Sequence, residues 1–71
     1  MRLRLRVKEI AEAKGMSMGK LERLADLSHP TIRDMYRNPY KEVTSTTLAK
    51  LATALGVSVS DLFVEEPDDI E

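Results

Sequence analysis

Seventy-one residues, 42% hydrophobic and 32% charged, are the size of one small domain and exclude a second. The absence of cysteine and the presence of one histidine exclude a disulfide framework, a thiolate zinc site, a cysteine nucleophile and a histidine-built metal centre. The formal net charge of −1 conceals a division: residues 1–41 hold ten Lys/Arg against five Asp/Glu, a net of +5, whereas residues 42–71 hold Lys50 against seven acids, a net of −6. Binding to a polyanion depends on the field over the contact surface, so the basic part of a nearly neutral chain is compatible with a nucleic-acid face.

Met1 to Val7 alternates strictly, with Leu3, Leu5 and Val7 on one side and Arg2, Arg4 and Arg6 on the other, which predicts a half-buried strand. From Val7 the apolar spacing becomes helical and Gly15 supplies a stop, giving a first helix over about 6–14. Ser17 caps a second helix with Leu21, Leu24 and Ala25 on its inner face, ending near Asp26-Leu27. Ser28 caps a third, over about 28–37, in which Pro30 falls where its missing N–H costs nothing and Ile32, Met35 and Tyr36 face inward. Asn38-Pro39 stops it.

Thr44 or Ser45 opens a fourth helix, whose Leu48, Leu51, Ala52 and Leu55 form a stripe closed by Gly56. Ser58 to Asp61 has the capping-box pattern and predicts a last helical turn. Phe63-Val64 can extend beside Leu3 and Leu5, and Glu65 to Glu71 reads as an acidic, disordered tail, leaving 1–64 as the domain.

Two short helices joined through Ala25-Asp26-Leu27-Ser28 have the spacing of a helix-turn-helix. With Lys14-Gly15-Met16-Ser17, Thr31-Ile32, and above all the run from Leu48 through Leu55-Gly56-Val57-Ser58 to Leu62-Phe63, residues 6–64 closely resemble the Cro/CI (XRE) family of helix-turn-helix regulators, in its compact single-domain branch. The resemblance implies an all-α, five-helix, lambda-repressor-like DNA-binding domain, with the short strand pair between the two ends left open. It also implies a transcriptional regulator, a repressor before an activator, acting as a homodimer on a pseudo-palindromic double-stranded operator. Neither a cofactor nor a small-molecule effector is expected.

By the same resemblance, the start of the third helix carries the base-reading side chains, here His29, Pro30 and Thr31, followed by Arg33 and Asp34. Guanidinium matches the acceptor edge of guanine, carboxylate accepts from cytosine, and histidine donates to guanine or phosphate. Where the family often has a phosphate-contacting glutamine this chain has Met18, and Arg37-Asn38 replaces the family's helix-end asparagine-glycine. Phosphate contacts are expected around the start of the second helix, from Ser17, Met18 and Lys20, and beyond the third, from Arg37, Asn38, Tyr40 and Lys41.

Competing readings stand beside these. Asp34 and Arg37 are spaced to pair with each other on a solvated face. Arg2, Arg4 and Arg6 can protect a strand edge as well as contact DNA. The sequence lacks a catalytic constellation, a glycine-rich phosphate loop and paired carboxylates outside the tail, so no enzyme is expected. A protein–protein module, such as an antitoxin or adaptor on the same fold, is the alternative. No apolar run nears the roughly 18 residues that cross a bilayer, and a cytoplasmic location without a membrane partner is the expectation.

Overall fold

The computed structural model describes residues 2–67. Strand β1 (Arg2–Leu5) leads into helix α1 (Val7–Ala13), followed by α2 (Met18–Ala25), α3 (His29–Arg37) and α4 (Ser45–Leu55). A 3₁₀ turn, Val59–Leu62, then delivers the chain to β2 (Phe63–Glu66). The expected fifth helix is therefore corrected to a single tight turn, and the all-α description to four α-helices with a two-stranded antiparallel sheet. The reason is local. Asp61 Oδ2 takes both the Ser58 N–H at 3.3 Å and the Ser58 hydroxyl at 3.0 Å, winding the turn tightly, and Phe63 must already be extended to oppose Leu5.

The sheet register places Arg2 opposite Glu66, Leu3 opposite Glu65, Arg4 opposite Val64 and Leu5 opposite Phe63. The alternation of β1 thereby turns Leu5 into the core and Arg2 towards an acid. The expected boundary at 64 falls inside β2, so Glu65 and Glu66 are strand residues and not tail; residues 68–71 of the expected tail lie outside the described residues.

Each helix start has a physical cause. The hydroxyls of Ser17, Ser28 and Thr44 accept from the backbone N–H three residues on, at 3.1, 3.4 and 3.2 Å, and such caps contribute about 1 kcal/mol each. Gly56 ends α4 at φ 72°, a conformation that costs glycine nothing. Asp26 ends α2 at φ 56° without being glycine. This left-handed step, with the Leu27 N–H returning to the Glu22 carbonyl at 3.1 Å, redirects the chain into α3.

The core is continuous across every element. Leu5, Val7, Ala11, Leu21, Ala25, Ile32, Met35, Leu51, Ala52, Leu55 and Leu62 are all buried, and no polar side chain among the described residues is. The expected inner faces hold for α3 and α4, whereas Leu24 of α2 is exposed and in α1 Val7 and Ala11 are buried but Ala13 is exposed. Leu21 and Ala25 fill that face, with Met18 half-buried at its end.

Candidate nucleic-acid interface

Because Ile32 and Met35 are buried, α3 is fixed about its own axis. At about 100° per residue, His29, Arg33 and Arg37 follow one line along the helix, with Pro30 and Asp34 beside it, and the five span about 140° of the side opposite the core. The structure thus brings four of the five expected base-reading residues, together with Arg37, to one solvent-facing side. Thr31 lies off that arc, and its hydroxyl is held 2.8 Å from Ser28 Oγ. Tyr36 is half-buried against the core, and burial, assisted by the nearby Glu12 and Glu22 carboxylates, raises its phenol above the ordinary 10.0.

The side chains on this face differ in how they are held. His29 Nδ1 lies 2.5 Å from Glu22 Oε2 of α2, so the imidazole is tied at one nitrogen. Arg33 makes a loose ion contact, Nε to Asp34 Oδ1 at 3.7 Å, and this Nε is buried without a hydrogen-bond partner among the described residues, while the side chain as a whole is 42% exposed. Asp34 therefore faces Arg33, and the ion pair expected with Arg37 is not found among the described residues. With Nε inside, what the guanidinium can present to another molecule is its terminal NH2 groups.

The expected phosphate-contacting residues fall into two groups. Ser17, Met18 and Lys20 lie at the start of α2, where the Ser17 hydroxyl is used as a cap and the Met18 side chain packs on the core. What this end offers an anion is the free backbone N–H groups of its first turn and the Lys20 ammonium. Arg37 and Asn38 end α3, and Tyr40 and Lys41 follow in the turn, where Asn38 Oδ1 accepts the Tyr40 N–H at 3.2 Å and the Asn38 carbonyl accepts the Lys41 N–H at 3.1 Å.

Tyr40 is tied further away. Its hydroxyl donates to Glu66 Oε1 at 2.9 Å, and the Arg2 guanidinium stacks 4.3 Å from its ring centre, within cation–π range. The Pro39 carbonyl also accepts the Leu5 N–H at 2.7 Å. The strand pair is therefore bonded to the segment that ends α3. Sequence reasoning missed Glu22, the bond from Tyr40 to Glu66 and the stacking of Arg2 on Tyr40, because seven residues separate Glu22 from His29 across a turn and 26 separate Tyr40 from Glu66.

An α2–turn–α3 unit with a buried inner side and a cationic outer side of α3 is a helix-turn-helix of the kind that carries DNA-binding function. The sequence matches the model of the Cro/C1-type HTH DNA-binding domain over residues 6–68, and the chain belongs to that family. Among solved structures it is similar to the restriction-modification controller protein C.AhdI from Aeromonas hydrophila, with 31% sequence identity, a TM-score of 0.71, and 82% of this chain and 86% of that chain covered. No curated protein sequence matches it. Among the described residues, no helix is long and apolar enough to cross a membrane.

Proposed function

We propose that the domain is a sequence-specific regulator of transcription that lays α3 in the major groove of double-stranded DNA and represses the genes whose operators it occupies. The observation that carries this reading is the outer side of α3, where His29, Pro30, Arg33, Asp34 and Arg37 share one solvent-facing arc. His29, Pro30, Arg33 and Asp34 contact base edges, and Thr31, off the arc and held to Ser28, does not. The first-turn backbone N–H groups of α2 with Lys20, and Arg37, Asn38 and Lys41 beyond α3, hold the phosphates, while the Tyr40 hydroxyl is committed to Glu66. One helix reads only a few base pairs, so two copies on a pseudo-palindrome supply useful specificity.

Selection from random duplexes, followed by titration of the preferred site at increasing salt, tests the reading. The logarithm of affinity is expected to fall linearly with the logarithm of salt, by about 0.9 per neutralised phosphate. On that site Arg33→Ala should cost about 1–3 kcal/mol and relax preference at one base pair, whereas Lys41→Ala should weaken all sequences alike. No enriched site, or a weak response to salt, would favour a protein-binding module.

A further inference from the structure

The chain has one histidine, it stands at the first position of α3, and its ring is held by a carboxylate from the preceding helix. A carboxylate can only accept, so a 2.5 Å contact from Glu22 Oε2 to Nδ1 requires the imidazole proton to sit on Nδ1. That fixes the opposite nitrogen. Nε2 has no partner among the described residues, and the His29 side chain is 58% exposed while Glu22 is 19% exposed, so the inner end of the pair is sheltered and the outer end is presented.

Accepting α3 as the base-contacting helix, we propose that Glu22 decides which kind of base edge His29 reads, by leaving Nε2 a bare acceptor in the neutral ring and a donor in the protonated one. A bare acceptor pairs with the amino groups of adenine N6 or cytosine N4. A donor pairs with guanine, whose O6 and N7 both accept. Glu22 is thus a positioning residue for specificity, and protonation of the ring exchanges the preferred base. The charged groups that bear on the ring are Glu22 on α2 and, one turn along α3, Arg33 with Asp34 beside it. Asp26 at the end of α2 is turned to Lys50 at 4.0 Å. None of these but Glu22 bonds the imidazole.

Two measurements on the full chain decide it. Long-range proton–nitrogen correlation on the one histidine at pH 8 should show the proton on Nδ1 in the wild type and a return to the commoner Nε2–H form in Glu22→Ala. Site selection at pH 8.0 and pH 5.5 should show the base pair facing the start of α3 changing from an amino-presenting base to guanine, by about fivefold or more. Glu22→Ala should prefer guanine at both values, and His29→Ala should lose the change altogether. If Glu22→Ala fails to fold, the wild-type spectrum and its two selections decide alone. An Nε2–H ring in the wild type, or the same preferred base at both pH values, overturns the proposal while leaving DNA binding intact; absence of any enriched site overturns both.

Discussion

Glu9 lies in the first turn of α1 and bonds the Arg4 guanidinium across the corner where the strand becomes a helix. Burial works to raise the Glu9 carboxyl, but its own backbone N–H, the Arg4 hydrogen bond and the charges of Arg4 and Arg6 outweigh it and leave the group below the ordinary 4.5. Arg4 is in turn held more firmly protonated, chiefly by the same hydrogen bond. A lowered acid stabilises the fold fully above its unfolded value and loses that contribution as the pH falls through its folded value. Both partners are a third or more exposed, so water screens the pair and the contribution is small. Wild type should melt above Glu9→Gln at pH 7, and the gap should narrow as the pH falls through the folded value of Glu9, below the ordinary 4.5. A gap that persists unchanged at pH 3 would mean that the Glu9 charge is not its source. Single-residue links of this kind were the least legible part of the sequence. Ser17, Ser28 and Thr44 act on N–H groups three residues away and announce themselves by spacing, whereas Glu22 and Glu66 act across turns and strands and leave no period to detect.

The elements follow from simpler rules and were largely readable. The stripe of α4 predicted its burial: Leu51 is 0% exposed and faces the other helices. Leu51→Ala should cost about 2–5 kcal/mol, against a total of roughly 3–5 kcal/mol for so small a core. The variant should therefore be largely unfolded by circular dichroism at 25 °C; a cooperative melt near that of wild type would contradict the packing of α4. Two elements were misread. Leu24 has helical spacing to Leu21, but over two turns of α2 the pair Leu21 and Ala25 already meets the core, and period alone does not fix the width of a buried stripe. The Ser58–Asp61 pattern signalled a helix start, and it made one turn because the strand following it claims Phe63.

At the scale of the molecule, the two ends of the chain are part of the support of α3. β1 brings Leu5 into the core, Arg4 to Glu9, Arg2 to Tyr40 and Glu66, and the Leu5 N–H to Pro39. Removal of residues 1–5 should lower the thermal midpoint by about 8 °C or more, from the lost burial of Leu5 alone. It should also weaken binding to the selected DNA site at temperatures where the shortened chain is still folded, because the segment ending α3 loses its attachment. A truncated protein that melts as the full chain does would make the basic N-terminus dispensable to the fold. Opposite charges at the two ends foretold the strand pair; the bond to Pro39 joins backbone to backbone and is invisible to any reading of side chains.

That bond also governs what cannot grow from the sheet. The Leu5 N–H points away from β2 and is taken by the Pro39 carbonyl, which leaves Leu3 as the residue of β1 whose outward N–H has no partner among the described residues. A single free rung is a poor template for strand addition. Twofold antiparallel pairing of β1 with another β1 would also oppose residues of like parity, setting arginine against arginine at every rung that leucine does not occupy. A short, capped and like-charged edge keeps a small two-stranded sheet from polymerising, and it sends any symmetric pairing of two copies to another surface.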